Sequence, residues 1–217
     1  MGHSLSKAII FDFDGTLVDS EITIYQCFQS ITNYLAPERI NYAKNILIGP
    51  PLRDTASEIL GSNNQDQLDE FVDLFIKMHD EDAIKNTQPY SYVIETLKKL
   101  SSKGISMAVA TNKRYAPTLK LINHFNWQGY FASIECSDSQ SQIRNKDEMI
   151  QEILKNNKFN NALFVGDTVN DGLSANLNQL KFVRANYGYG LQQDWTKIKI
   201  IKSIKNFSEL ELILDKH

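Results

Sequence analysis

The sequence predicts an α/β protein: a parallel β-sheet core covered by helices on both faces, with an all-helical segment inserted after the first strand. Two observations carry this. Short apolar, β-branched runs alternate with segments of helical period through the second half of the chain, the rhythm of strand–helix crossovers. Between the first such run and the rest lies a long stretch of helical periodicity with no strand pattern.

Residues 7–13 form the first run, apolar and aromatic up to Asp14, Gly15 and Thr16, so a buried strand is expected to run into a turn. Asp19 or Ser20 can cap a helix whose positions Ile22, Ile24, Tyr25, Phe28, Ile31, Tyr34 and Leu35 follow a 3.6-residue period, and Pro37 ends or restarts it. From residue 39 to residue 86 the pattern stays helical, interrupted at Gly49-Pro50-Pro51 and at Gly61-Ser62-Asn63-Asn64; its third segment carries Leu68, Phe71, Val72, Leu74, Phe75 and Met78. Residues 92–102 read as a helix stopped by Gly104, followed by strand 105–110 ending at Thr111 and Asn112. The unit recurs as helix 116–125 with strand 130–136, helix 146–156 with strand 162–165, and helix 171–180 with strand 181–183. A polar loop spans 138–145, and 198–214 supplies a last short strand and a closing helix. The expected organisation is a Rossmann-like core of residues 5–18 and 88–217, with an all-helical cap of residues 19–87.

A chain of 217 residues suits one large domain or one domain with an insertion. Its 23 basic and 26 acidic residues leave a net charge of −3 with no long run of either sign, which disfavours a nucleic-acid or anionic-membrane footprint. Cys27 and Cys136 form no CxxC pair and the histidines never fall at i, i+4, so neither a disulfide nor a structural zinc is expected. Apolar runs fall well short of the ~18 residues of a spanning helix, and no hydrophobic signal region follows Met1, so the expectation is a soluble, cytoplasmic protein without a membrane partner. His79 and His124 are expected on partly exposed helix faces, and Trp127 and Trp195 in packing roles.

Ligands of open parallel sheets bind beyond the carboxyl ends of the strands. Three such ends are unusually polar: Asp12-Phe13-Asp14-Gly15-Thr16, Thr111-Asn112-Lys113, and Gly166-Asp167-Thr168-Val169-Asn170-Asp171. Asp12 and Asp14 at i, i+2 are expected to point to one side, where Asp167 and Asp171 join them. Gathered carboxylates call for a hard cation with oxygen ligands, and Mg²⁺ suits a site that keeps waters and a substrate phosphate. Thr111, Asn112 and a lysine can receive that phosphate, with a helix opening at Asn112 or Lys113 to favour the anion.

Asp12-Phe13-Asp14-Gly15-Thr16-Leu17-Val18-Asp19-Ser20 resembles the first signature of the haloacid dehalogenase-like (HAD) hydrolases. Val109-Ala110-Thr111-Asn112-Lys113 resembles the second, Lys146 opening a helix the third, and Gly166-Asp167 with Asp171 the fourth. The resemblance implies that Asp12 is the nucleophile and Asp14 the general acid and base. It implies that Gly15, Thr111, Asn112 and Lys146 hold the phosphoryl group, with Lys113 the rival lysine. Mg²⁺ would be held by Asp12, the Asp14 main-chain carbonyl and Asp167, with Asp171 a ligand or a group behind one. Dehalogenases of the superfamily lack an aspartate two residues after the nucleophile, because a halide needs no proton, so Asp14 favours phosphatase chemistry.

The helical insertion, Thr111-Asn112-Lys113 and Asn186-Tyr187-Gly188-Tyr189-Gly190 resemble the subfamily containing phosphoglycolate phosphatase. Gly49-Pro50-Pro51-Leu52-Arg53 resembles its substrate-specificity loop, where Arg53 would meet a substrate carboxylate; a plain turn with a solvated arginine is the other reading. Gly188 and Gly190 are expected to mark tight turns. Departures are Asp147 where many relatives have proline, Ser91-Tyr92 at the place of a Pro-Gly, and Ala175-Asn176 where Ala-Gly pairs are common. The implied activity is Mg²⁺-dependent hydrolysis of a small phosphorylated metabolite through an aspartyl-phosphate, a phosphoglycolate-like ester first, by a monomer or homodimer. The alternatives are a β-phosphoglucomutase-type mutase, a nucleotide phosphatase, or a phosphate- or phosphoprotein-binding module without turnover.

Overall fold

The computed structural model describes residues 8–82, 84–140, 142–159 and 161–214; the expected strand start at Lys7 and the outer ends of the core at residues 5 and 217 lie outside them. In chain order the elements are β1 (Ala8–Phe11), β2 (Val18–Asp19), α1 (Glu21–Leu35), α2 (Ile40–Ala43), α3 (Leu52–Leu60), α4 (Gln65–Asp82), β3 (Gln88–Pro89), α5 (Val93–Ser102) and β4 (Ser106–Thr111). They continue as α6 (Tyr115–His124), β5 (Phe131–Cys136), α7 (Lys146–Asn157), β6 (Ala162–Gly166), α8 (Val169–Leu177), β7 (Lys181–Ala185), β8 (Ile200–Ile204) and α9 (Glu209–Leu214).

Six strands form one parallel sheet in the order β5-β4-β1-β6-β7-β8. All four residues of β1 are buried, as a central strand between two helical layers requires. Alternation along the strand sends Ile9 and Phe11 to one face with Leu97, Val109, Trp127 and Val165, and Ile10 to the other with Ala108, Ala110, Met149 and Phe164. Phe11 stands in register with Val109 of β4 and with Val165 of β6. The residues just beyond all three strands therefore emerge at one edge of the sheet, where the polar motifs of the sequence were expected to meet.

Two details around the first strand and helix differ from expectation for a visible reason. β1 stops at Phe11, two residues early, because the Phe13 carbonyl accepts the N–H groups of Thr16, Leu17 and Val18 at 3.3, 2.8 and 3.1 Å and so turns the chain out of the sheet. Ser20 occupies the N-cap of α1 but makes no side-chain capping bond, since its φ of −122° and ψ of 11° lie outside the extended conformation that aims a cap at the first turn. Gly104 ends α5 with a φ of 69°, the left-handed geometry expected of that stop.

The chain divides into two compact units, one running to Asp19 and resuming at Gln88, the other Ser20–Thr87. The first unit contains the short antiparallel pair of β2 and β3, with Val18 opposite Pro89 and Asp19 opposite Gln88. In the second, Phe28 of α1 packs against Phe71 and Phe75 of α4, with ring centroids 6.2 and 5.2 Å apart. His79, expected partly exposed, is buried and stacks on Phe75 at 5.1 Å, so one more turn of the apolar stripe of α4 reaches it. Cys27 and Cys136 are free and buried. Among the described residues no helix is long and apolar enough to cross a membrane.

Candidate active site

Beyond β1 the backbone reverses through Gly15, whose φ of 84° favours glycine. A Cβ there would fall on the Asp167 carboxylate, so the same position is also sterically closed to any side chain. The Gly15 N–H donates to the Val18 carbonyl at 2.8 Å, so this expected phosphate donor is already used inside the turn. Thr16 follows with its hydroxyl donating to Asp167 Oδ1 at 3.0 Å.

Asp12, Asp167 and Asp171 offer carboxylate oxygens all within 4.8 Å of one another, and all three residues are buried. Lys146 reaches into this group from the first position of α7, donating to Asp12 Oδ1 at 2.7 Å and to Asp171 Oδ1. A capping box fixes that helix start: Asn145 Oδ1 accepts from the Glu148 N–H, and Glu148 accepts from the Asn145 N–H, both at 3.0 Å. Asp147, the departure from the proline of many relatives, lies in the same first turn, where a negative charge suits the helix dipole.

Asp171 closes a second capping box. α8 begins at Val169, not at Asp171 as its periodicity suggested, because Thr168 takes the N-cap and puts Asp171 at the third helical position. Asp171 Oδ2 accepts from the Thr168 N–H at 2.8 Å, the Thr168 hydroxyl at 2.7 Å and the Asp167 N–H at 3.2 Å. With Oδ1 on Lys146, Asp171 anchors the lysine and the helix start at once.

The electrostatics follow from one lysine shared between buried carboxylates. Burial raises Asp12 to about 7: Lys146 pulls the other way, but Asp171 adds repulsion. Asp167 is held well above the usual carboxylate range by burial and by the charges of Asp171 and Asp12. Burial opposes the charge on Lys146, yet Asp12 and Asp171 outweigh it and hold the ammonium above its ordinary value. Excess buried negative charge on oxygen ligands is the donor set of a hard divalent cation, so the residues present fit Mg²⁺.

Asp14 lies beyond the end of β1, which stops at Phe11, so strand alternation does not set the direction of its side chain. Asp14 Oδ1 accepts from Lys113 Nζ at 3.2 Å, and the side chains are only 16% and 5% exposed. Thr111 ends β4, buried, its Oγ1 accepting from the Lys113 N–H at 3.1 Å. α6 begins at Tyr115, within a residue of the helix read at 116–125 and past the opening expected at Asn112 or Lys113, and Asp138 Oδ1 takes the Tyr115 N–H at 2.6 Å. The helix end expected to receive an anion is thus occupied by a carboxylate. Arg53 lies on α3 in the Ser20–Thr87 unit and pairs with Asp69 at 2.5 Å and Gln65 at 2.6 Å, its side chain 42% exposed.

Sequence reasoning missed the contribution of residues 186–190. The Tyr187 hydroxyl donates to the Thr16 carbonyl at 2.9 Å, and the Tyr189 N–H donates to Asp167 Oδ2 at 2.7 Å. Gly188 is more than a turn marker, since a Cβ there would strike both the Gly15 carbonyl and Asp167. The available signal was the alternation of glycine and tyrosine immediately after a strand, which marks close backbone approach.

The profile of the haloacid dehalogenase-like hydrolases matches residues 9–185. A phosphoglycolate phosphatase of Aquifex aeolicus is 28% identical over 97% of this chain and 98% of its own length. A 5'-nucleotidase of Pseudomonas aeruginosa is 24% identical over 96% of each chain. The crystal structure of a predicted phosphatase from Clostridium acetobutylicum shares the fold with a TM-score of 0.86, at 22% identity, covering 98% of this chain and all of that one.

Proposed function

The chain belongs to the haloacid dehalogenase-like hydrolases and is a phosphatase of that family, and from there we propose that it hydrolyses a small phosphomonoester, a phosphoglycolate-like ester first, through an aspartyl-phosphate on Asp12. The observation that carries this reading is the buried cluster of Asp12, Asp167 and Asp171 around Lys146 at the carboxyl edge of the sheet.

An oxygen of the Asp12 carboxylate attacks phosphorus, the bond to the ester oxygen breaks, and Asp14 gives its proton to the departing alkoxide. Asp14 then takes a proton from the water that attacks the aspartyl-phosphate, releasing inorganic phosphate and restoring Asp12. Lys146 and the Phe13 amide orient the nucleophile, and Lys113 orients Asp14. Thr111, Asn112 and Lys146 neutralise and bind the phosphoryl oxygens. Asp12, Asp167 and the Asp14 main-chain carbonyl would hold Mg²⁺, with Asp171 behind them as the anchor of Lys146. When bound, the cation supplies positive charge that keeps Asp12 ionised and offsets the charge on the transferring phosphoryl group. In this reading the helical unit Ser20–Thr87 is the cap that selects the ester, and similarity to the Pseudomonas 5'-nucleotidase makes nucleoside monophosphates the second substrate class.

The test is phosphate release from a panel of small esters with Mg²⁺ and with EDTA, comparing the wild type with Asp12→Asn. Release that requires both the metal and Asp12 is expected, and the ranking of esters names the substrate class. Release that survives Asp12→Asn would overturn the covalent route. Conversion of β-glucose 1-phosphate only after priming by a bisphosphate, without net release, would make the protein a mutase instead.

A further inference from the structure

We propose that Tyr187 is a positioning residue that sets the affinity of the carboxylate cluster for its divalent cation, by fixing Thr16 and through it Asp167. The inference rests on the Mg²⁺ site of the proposed function.

The relay is continuous. The Tyr187 hydroxyl donates to the Thr16 carbonyl at 2.9 Å, and the Thr16 hydroxyl donates to Asp167 Oδ1 at 3.0 Å. The second oxygen of the same carboxylate accepts from the Tyr189 N–H at 2.7 Å. Residues 187–189 thus hold Asp167 from both sides, one oxygen directly and the other through Thr16. A carboxylate held at both oxygens enters the metal site with its rotation already fixed, the usual service of groups that stand behind a ligand.

The segment doing this is itself rigidly held. The Asn186 N–H donates to the Ile204 carbonyl at 2.8 Å, and the Tyr187 ring packs on Tyr90 with centroids 4.8 Å apart. Behind it, Trp195 Nε1 donates to the Gly190 carbonyl at 2.9 Å while the Arg184 guanidinium lies 4.1 Å over the indole. In front, Gly188 and Gly190 have no room for a Cβ against Gly15 and the Asp167–Thr168 backbone. A phenylalanine at 187 would keep the ring packing and remove the donor, leaving the Thr16 carbonyl without that bond. Burial and the nearby charge of Asp167 push the phenol well above its usual range, which favours its protonated, donating form.

The experiment is isothermal titration of MgCl₂ into the full chain for the wild type, Tyr187→Phe, Thr16→Val and the double variant, with thermal midpoints in EDTA measured alongside. Tyr187→Phe is expected to weaken Mg²⁺ binding about tenfold, and Thr16→Val by a similar factor. The double variant should be little weaker than either single one, because both act through one chain of bonds. At saturating Mg²⁺ the KM for the ester should be unchanged in Tyr187→Phe while half-maximal activity moves to higher metal concentration. Wild-type Mg²⁺ affinity in Tyr187→Phe would overturn the proposal, as would strictly additive losses in the double variant. A wild type that binds Mg²⁺ without releasing phosphate would sink the functional reading alone, and the ratio of affinities would still decide the role of Tyr187.

Discussion

Stripped of divalent cations, the protein should become less stable as the pH rises from about 4 to about 7, and Asp12 should account for much of the loss. Asp12 is 6% exposed and raised from 3.8 to about 7 by burial, with Asp171 adding to the rise and Lys146 opposing it. Between those two values the folded chain holds a proton that the unfolded chain has released. The native state then binds more protons than the unfolded one, so the free energy of unfolding falls with rising pH through this window and levels off above it. A rise of that size corresponds to about 4 kcal/mol. Asp167, also raised, acts in the same direction. Asp12→Asn removes the titration, so the informative quantity is the difference in unfolding free energy between variant and wild type, read by urea denaturation in EDTA from pH 4 to pH 8. The variant should gain on the wild type by about 4 kcal/mol across the window. Millimolar Mg²⁺ should flatten the wild-type slope, since a ligand of the native state alone stabilises it. A difference that stays constant with pH in EDTA would refute the argument that this cluster carries uncompensated charge.

Two further substitutions separate the site from its surroundings. Lys146→Met leaves three carboxylates within 4.8 Å of one another without their shared ammonium; metal-free stability at pH 8 should fall by about 3–5 kcal/mol, less at pH 5 where Asp12 is protonated, and phosphate release with Mg²⁺ should drop about 10²–10³-fold. Arg53→Ala breaks an ion pair whose side chains are 42% and 63% exposed, so urea denaturation should show a loss below about 1 kcal/mol. With Arg53 engaged by Asp69 and Gln65, kcat/KM for phosphoglycolate should not change; a clear fall would decide for Arg53 as the carboxylate-recognising residue.

The parts of the site that were legible in the sequence are those where an apolar run stops on a polar residue. Asp12 and Asp167 follow buried strands and Thr111 ends one, and the register of β4, β1 and β6 brings those ends to one edge. What was illegible depends on turns and on contacts across long separations. Asp14 and Lys113 lie 99 residues apart in sequence, and nothing local to either tells that they pair. The Phe13 carbonyl draws three N–H groups into a turn just after Asp12, so Asp14 is placed by that turn and not by strand alternation. The capping threonine at 168 moves the start of α8 forward, turning Asp171 from a group at the helix mouth into one built into its first turn. His79 was misjudged because a polar residue at the end of an apolar stripe reads as its boundary, while a ring stack on Phe75 draws it inside. Gly188 and Gly190 were read as turn-formers because glycine has no side chain to announce that Asp167 stands where its Cβ would be.

The two-residue pairing of β2 with β3 bears on how such a chain can change over time. The strand that leaves the core and the strand that returns to it sit opposite each other, Asp19 against Gln88 and Val18 against Pro89. Whatever joins Asp19 to Gln88 closes a loop whose ends are already adjacent, and the entropic cost of such a loop grows only slowly with its length. The helical unit Ser20–Thr87 could therefore lengthen, shrink or be exchanged without rethreading any strand of the six-stranded sheet, and without disturbing the register that aligns β1 with β4 and β6. If the helical unit selects the ester, as the proposed function has it, chemistry and choice of substrate would evolve on separate stretches of one chain, and a foreign helical segment grafted between Asp19 and Gln88 would redirect the protein to a new ester.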